Sequence, residues 1–285
     1  LGGKDMEDFK LLKNKDISTV MNYLEKNHFE NTFIIGNIEK HGLDNNMLLK
    51  RSGDYYGYFN KNELRGVFSF TNMGSFICHY EDDSILNKII LLKAIKKYKP
   101  KHMFGMKKII QPLWQKLERT FKWYSYDDYD YMILKQDSFR DFSTDKEIIK
   151  AKDFDFSKSI DFLIEVEKAF NRKPKSVNQL KNSVYERTGE EEYLYLLDKG
   201  EVVAQAVIKT TTSKINQIEG VYTLPPYRGN GYAKAIVSKL SKNIIKRGKI
   251  PALIVSKSNA SAKKAYESIG FEYYDDYIMS EIQVG

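Results

Sequence analysis

The stretch that decides the fold of this 285-residue chain reads Val221-Tyr222-Thr223-Leu224-Pro225-Pro226-Tyr227-Arg228-Gly229-Asn230-Gly231-Tyr232-Ala233. It predicts a strand, a turn stiffened by proline, and a glycine loop that opens a helix. Glycines remove Cβ atoms where backbone comes close to a ligand, and their positive-φ freedom lets successive N–H groups point one way. With the N–H groups and positive dipole of the helix start, such a loop forms an anion site suited to a pyrophosphate. Arg228 adds a permanent cation beside it.

Two familiar phosphate loops do not fit this stretch. The dinucleotide fingerprint needs a third glycine, and a Walker loop ends in Gly-Lys-Ser/Thr. The stretch resembles instead the acyl-CoA loop of the GNAT N-acetyltransferase superfamily, whose signature is Arg/Gln-x-x-Gly-x-Gly/Ala. The run from Arg228 to Ala233 matches that signature at every specified position.

The segments around the loop extend the resemblance over about residues 146–283. The helix after the loop has apolar residues at the spacing of one buried face: Ala233, Ile236, Val237, Leu240 and Ile244. A short strand follows at 252–255. The run from Asn259 to Phe271 is similar to the closing signature of the superfamily, an Asn, a helix bearing a Tyr, and Gly-Phe. Upstream, patterns predict helices at 160–170 and 178–188 and strands at 193–197, 202–208 and 215–223.

The N-terminal half repeats this order of elements. Its predicted helices lie at 17–27, 32–41 and 85–98, and its strands at 55–59, 64–70 and 75–79. Tyr55 and Leu64 each have a counterpart 138 residues later, whereas Phe121 has one 150 residues later. About 12 extra residues therefore lie between these landmarks in the C-terminal copy, in the interval that contains the glycine loop. The matching N-terminal stretch, residues 80–84, has three acids and no glycine, so it would repel a pyrophosphate.

These observations predict a mixed α/β chain of two tandem GNAT-like domains, each a mostly antiparallel mixed sheet flanked by helices. The first domain, 6–137, is expected to be a degenerate copy that has lost cofactor binding. The second, 138–285, is expected to be an acetyltransferase domain that binds acyl-CoA. A different α/β fold for the N-terminal half is the alternative.

Composition narrows the function classes. A single cysteine, Cys78, excludes an intrachain disulfide and fits a cytoplasmic protein. All four histidines lie in the N-terminal half, and none forms a pair at metal-ligand spacing, so no metal is expected. Apolar stretches are too short to span a bilayer. The net charge of +8 comes from scattered lysines rather than a basic run interleaved with aromatics, so a nucleic-acid partner is not indicated.

The resemblance implies transfer of an acetyl group from acetyl-CoA, as co-substrate, to a primary amine by direct attack. The acceptor would be a small or amino-acid-like molecule. The residues expected to bind the cofactor are Val221, Tyr222, Thr223, Arg228, Gly229, Asn230, Gly231, Tyr232, Ala233 and Asn259. A backbone N–H near Val221 or Tyr222 would meet the oxyanion.

Glu219 and Tyr266 are the candidate catalytic residues. Glu219 precedes the loop and, by strand alternation, shares a face with Gln217 and Val221; it is the candidate base, although it could simply pair with a nearby lysine. Tyr266 is the candidate acid through its match to the tyrosine of the family, and core packing is its alternative role.

Two further functions stay open at this point: an aminoacyl-tRNA-dependent transferase, and a non-catalytic acyl-CoA-binding module. The intact loop argues against the first. The sequence does not set the oligomeric state. The acceptor pocket is expected at the first helices of the second domain, near Ala169, Phe170 and Tyr185.

Overall fold

The computed structural model of the protein describes residues 7–118 and 121–284. The chain forms two compact units. The elements of the first half are β1 (Glu7–Leu11), α1 (Ile17–Leu24), α2 (Thr32–His41), β2 (Gly53–Asn60), β3 (Glu63–Thr71), β4 (Ser75–Tyr80), α3 (Ile89–Tyr98), β5 (His102–Met106), α4 (Lys107–Leu117) and β6 (Phe121–Ile133). Those of the second half are β7 (Glu147–Lys150), α5 (Phe156–Ala169), α6 (Val177–Tyr185), β8 (Tyr193–Asp198), β9 (Glu201–Thr211), β10 (Ile215–Thr223), α7 (Tyr232–Lys246), β11 (Ile250–Ser256), α8 (Ala260–Ile269) and β12 (Glu272–Val284).

The predicted tandem arrangement is confirmed, because strands and α-helices follow one another in the same order in both halves. Each unit also has the predicted kind of sheet. In the first, β1 to β4 pair antiparallel and β4 pairs with β5 in parallel. In the second, β7 to β10 pair antiparallel and β10 pairs with β11 in parallel. Phe121, the third landmark of the predicted repeat, is described only in its backbone, so the structure says nothing of its side chain.

The division between the units differs from the predicted boundary at 137/138. The first unit ends at Asp130 and takes up the chain again from Asp275, and the second runs from Tyr131 to Tyr274. The reason is the register of the last strand. Residues 277–281 of β12 pair antiparallel with β5, with Tyr277 opposite Met106 and Glu281 opposite His102, so this end of the chain belongs to the sheet of the first unit.

The sheet of the second unit is covered on both faces, which explains the alternation along β8. Leu194 and Leu196 point into a cluster with α7 and α8, whereas Tyr193, Tyr195 and Leu197 pack with α5 and α6. Four residues of the predicted stripe of α7, Ile236, Val237, Leu240 and Ile244, lie in the first cluster and are fully buried, whereas Ala233 is half-buried outside it. In the first unit, α1 and α2 pack on β2 and β3 in a cluster that includes Val20, Leu24, Ile35, Tyr55 and Val67.

Helix ends follow the expected capping chemistry. Asp155 caps α5 by accepting a hydrogen bond from the Ser157 N–H, so the helix begins four residues before the predicted position. Asn259 caps α8 through the Ala262 N–H. Gly270 ends α8 with a φ of 110°, and a Cβ there would lie 1.9 Å from the backbone oxygen of Ser138.

Gly270→Ala should therefore destabilise the protein by about 2 kcal/mol or more, because a left-handed backbone and a backbone clash act together. Urea unfolding monitored by circular dichroism measures this. Gly248→Ala is the matched control: Gly248 also follows a helix with positive φ, but a Cβ there meets nothing within 4 Å, so a loss of about 1 kcal/mol is expected. Equal losses in the two variants would contradict the contact with Ser138.

Candidate functional site

A β-bulge in β10 is the centre of the candidate site. Glu219 pairs with Val207 of β9 and Tyr222 with Gln205, so Gly220 and Val221 together stand opposite one residue of the neighbouring strand. Gly220 has a φ of 61°, which glycine adopts readily. The parallel pairing of β10 with β11 covers Ile215 to Ile218, and β10 continues past it to Thr223. The two strands thus diverge at the level of the bulge.

Buried side chains hold the bulge in place. The Gln205 side-chain amide donates to the carbonyl oxygen of Gly220 at 2.9 Å, and the Tyr193 hydroxyl donates to Gln205 Oε1. Gln205 is 2% exposed. Burial raises the pKa of Tyr193 well above its ordinary value, so the phenol stays protonated and remains a donor. This chain of hydrogen bonds fixes which way the Gly220 carbonyl points.

The bulge separates two cavities. Val221, Tyr222 and Thr223 line one of about 490 Å³, called here the glycine-loop cleft, together with residues of the loop, α7 and α8. Glu219 and Gly220 line another of about 190 Å³, called here the charged cavity, together with residues of α5, α6 and β9. Consecutive residues of one strand therefore face two different spaces.

The glycine loop has the backbone geometry that the sequence predicted. Gly229 and Gly231 have φ values of 84° and 77°, and a Cβ on either would meet nothing within 4 Å. Gly231 is the N-cap of α7, so the first N–H groups of that helix face the loop. Arg228 Nε donates to the Thr223 carbonyl at 3.1 Å, which holds the guanidinium against the end of β10.

Most residues predicted to bind the cofactor line the glycine-loop cleft: Val221, Tyr222, Thr223, Arg228, Gly229, Gly231, Tyr232, Ala233 and Asn259. Asn230 and Tyr232 differ from the other residues of this set. Asn230 is not among the lining residues, because its side chain turns back to donate to the Tyr227 carbonyl at 3.2 Å. The Tyr232 side chain packs in the core, and its hydroxyl donates to Asp198 at 3.1 Å. Only the backbone N–H of Tyr232 therefore remains to face the loop.

Tyr266 also lines the cleft. Its ring packs edge-on against Phe271, with the centroids 6.1 Å apart, and it is part of the core cluster of α7 and α8. Core packing, the alternative role considered for this residue, is therefore present, and its role as the acid stays a prediction. Burial raises the pKa of the Tyr266 phenol, so the group is a protonated hydrogen-bond donor at neutral pH.

Glu219 does not share a face with Val221, contrary to the prediction from strand alternation. The extra residue of the bulge breaks the two-residue period, so Glu219 lines the charged cavity and Val221 lines the cleft. Lys209 Nζ lies 3.2 Å from Glu219 Oε2, and the Thr210 hydroxyl donates to Glu219 Oε1 at 3.4 Å. The lysine pairing considered for this residue is thus present, and it holds the carboxylate at the bulge.

The corresponding turn of the first unit is built differently. The segments 81–88 and 224–231 join β4 to α3 and β10 to α7 and have the same length, so the extra residues of the second copy lie in its strands and helices rather than in the loop. In the first unit, Asp82 accepts hydrogen bonds from the Ser84 N–H and hydroxyl, both at 2.8 Å. These bonds lower the pKa of the Asp82 carboxyl, so a negative charge sits at this turn.

Sequence reasoning missed part of the site. Ala169 and Phe170, expected in an acceptor pocket, line the glycine-loop cleft instead, as do Tyr227, Lys234, Ser261, Ala262 and Ala265. The charged cavity was not predicted either, nor was the chain of hydrogen bonds that runs from Tyr193 through Gln205 to Gly220. A glycine inside the 215–223 strand pattern was the available signal for the bulge.

The part of the chain that the structure describes offers neither a membrane-spanning helix nor a cluster of metal ligands. None of its helices combines the length and apolar character needed to cross a lipid bilayer. No group of three or more His, Cys, Asp or Glu residues within it is arranged to hold a metal ion.

Comparison with known proteins places these features in context. Residues 194–280 match the family described as FR47-like protein, and a search of curated proteins gave no match. A Drosophila protein has a TM-score of 0.67 at 13% identity, with 98% of this chain and 99% of that one covered. The GCN5-related N-acetyltransferase from Sphaerobacter thermophilus gives 0.63 at 13%, with 99% and 97% covered. A tandem GNAT protein from the clavulanic acid biosynthesis pathway gives 0.60 at 8%, with 98% of each chain covered. At these identities the likeness establishes the fold alone.

Tyr193→Phe should destabilise the protein by about 1–3 kcal/mol, because it leaves the buried Gln205 Oε1 without its donor. Chemical denaturation measures the change. Tyr185→Phe is the control: Tyr185 is 43% exposed, and a change within about 0.5 kcal/mol is expected. A Tyr193→Phe protein as stable as wild type would show that the hydrogen bond to Gln205 does not support the bulge.

Proposed function

We propose that this chain, which has the tandem GNAT fold, is an N-acetyltransferase that moves an acetyl group from acetyl-CoA to a primary amine. The observation that carries the proposal is the bulge in β10. At this bulge, consecutive residues of one strand line the glycine-loop cleft and the charged cavity, which contains the Glu219 carboxylate. A transferase of this kind needs one space for each substrate, and a point at which they meet.

The residues of the cleft fit acyl-CoA. The loop provides backbone N–H groups at a helix start for a pyrophosphate, and the open space at Gly229 and Gly231 lets phosphate oxygens approach them. Further along, Ala262 and Ala265 of α8 supply small side chains, past which an extended arm could run towards β10. When bound, acetyl-CoA would supply the acetyl group as a thioester, activated towards attack by an amine.

Proton movement falls to two side chains. An alkyl ammonium has a pKa of about 10, so it must lose a proton before its nitrogen can attack. Glu219, on the side of the charged cavity, would take that proton directly or through water. As the C–N bond forms and the C–S bond breaks, Tyr266 on the side of the cleft would donate a proton to the departing sulfur. The proton that the new amide nitrogen sheds would restore the phenol through water, and Glu219 would release its proton to solvent.

Backbone geometry would stabilise the charge that develops on the thioester oxygen. The Leu224 N–H donates to the Val203 carbonyl of β9, so by the alternation of the ladder the Tyr222 N–H also points to β9, and the Val221 N–H is the one left for the oxyanion. Because the hydrogen bond to Gly220 holds the backbone, this donor would need no reorganisation during the reaction, which is the basis of oxyanion stabilisation.

Calorimetric titration with acetyl-CoA should give one site per chain, since the first unit carries Asp82 at the turn that matches the glycine loop. Gly231→Asp should abolish binding, because it places a carboxylate at the phosphate position. Gly231→Asn is the matched control, with the same size and a similar tolerance for left-handed backbone but no charge, and should bind measurably. Two sites per chain, or unchanged affinity in folded Gly231→Asp, would overturn the assignment.

Glu219→Gln should lower kcat with a panel of primary amines by about 10²–10⁴-fold, the usual contribution of a general base. Tyr266→Phe should lower it by about tenfold or more, and neither variant should change the affinity for acetyl-CoA. Release of the CoA thiol is the measurement. Glu201→Gln, an exposed position at the start of β9, serves as control. Binding without turnover of any amine in the wild type would favour a non-catalytic acyl-CoA-binding module instead.

A further inference from the structure

The charged cavity has an excess of positive charge. Four cationic side chains line it, Arg172, Lys175, Arg187 and Lys209, against two carboxylates, Glu167 and Glu219. Each carboxylate has a cation close by: Lys175 Nζ lies 3.0 Å from Glu167 Oε1, and Lys209 Nζ lies 3.2 Å from Glu219 Oε2. With four cations against two carboxylates, the lining residues carry a net charge of +2. A cavity that selected simple amines, which are cations, would carry the opposite excess.

Arg187 is held firmly in the wall. Its Nε donates to the Ser183 carbonyl at 3.0 Å, and its guanidinium carbon stands 5.3 Å from the centre of the buried Tyr193 ring. A guanidinium fixed in this way has already lost much of its conformational freedom, and its planar fork matches the oxygens of a carboxylate or phosphate. Arg172 adds a second guanidinium, 3.4 Å from Glu167 Oε1 and stacked on Phe170 at 4.7 Å.

Glu167 offers a position for an ammonium. The residue is 7% exposed, and its Oε2 is buried without a hydrogen-bond partner among the described residues. A buried carboxylate oxygen left in this state costs free energy, which a donor N–H would recover. Glu219 provides the other carboxylate, at the bulge that adjoins the cleft.

The size of the cavity sets a limit on the ligand. Its volume of about 190 Å³ lies below the range of about 300–1,000 Å³ that suits drug-sized molecules. The ligand that fits is therefore of amino-acid size.

We infer that the acceptor is a small amine that also carries an oxyanion, a carboxylate or a phosphate. Its amine would lie towards Glu219 and Glu167, and its oxyanion towards Arg187 and Arg172. This inference rests on the proposed function, and it names the substrate class of that site.

Matched pairs of amines test it. β-Alanine against propylamine, and phosphoethanolamine against ethanolamine, differ chiefly in the oxyanion. With acetyl-CoA present, kcat/KM for the better oxyanion-bearing member should exceed that of its partner without an oxyanion by about tenfold or more. The two pairs distinguish carboxylate from phosphate. Arg187→Gln should reduce this ratio by about tenfold, and Arg187→Lys, which keeps the charge, by less.

The control variant is Lys181→Gln, an exposed position on α6 outside the cavity, which should leave the ratio unchanged. Equal kcat/KM values within both pairs, or a ratio insensitive to Arg187→Gln in a folded protein, would overturn the inference while leaving the transferase intact. If no amine turns over, the proposed function fails. In that case the affinities of the same amine pairs are measured by calorimetry in the presence of CoA, for the wild type and for Arg187→Gln. An affinity about tenfold higher for the oxyanion-bearing amine, reduced in Arg187→Gln, would support the inference, and equal affinities would overturn it.

Discussion

The hydrogen bond from the Gln205 amide to the Gly220 carbonyl is the interaction on which the rest of the site depends. A regular β10 would continue its ladder and present alternate side chains to two uniform faces. The bulge interrupts the ladder, separates β10 from β11, and gives neighbouring residues access to different cavities. Such a distortion inside a sheet needs compensation, and buried polar groups from β8 and β9 provide it. The shape of the site is thus fixed by Tyr193 and Gln205, which themselves line the charged cavity.

The two halves show how one architecture can carry two chemically different turns at the same place. The loops that follow β4 and β10 have equal length and the same place in the order of elements. One contains two left-handed glycines with open space around them, whereas in the other Asp82 accepts a hydrogen bond from the Ser84 N–H. The difference is local chemistry: a carboxylate supplied by the chain occupies the kind of turn at which the second unit presents donors. The first unit keeps the sheet and helices, which depend on burial rather than on that turn.

Much of this could be predicted from the sequence, because periodicity and glycine placement are local signals. The stripe of α7, the cap at Asn259 and the glycine loop all follow from residues within a few positions of one another. The bulge could not be predicted in this way, since it depends on Gln205 and Tyr193, which are remote along the chain and resemble ordinary strand residues. The predicted orientation of Glu219 was wrong for the same reason. The charged cavity draws its residues from two helices, three strands and the segments between them, and nothing in their spacing indicates that they converge.

The position of the last strand has a consequence for the order in which the protein can form. Residues 277–281 pair with β5 of the first unit, yet a ribosome makes them after the whole of the second unit. While translation proceeds, β5 must wait with one edge open, and such an edge is prone to pairing with the wrong strand. The second unit, which is contiguous from Tyr131 to Tyr274, can be complete before the first. The N-terminal unit is thus the first to be synthesised and the last to be closed.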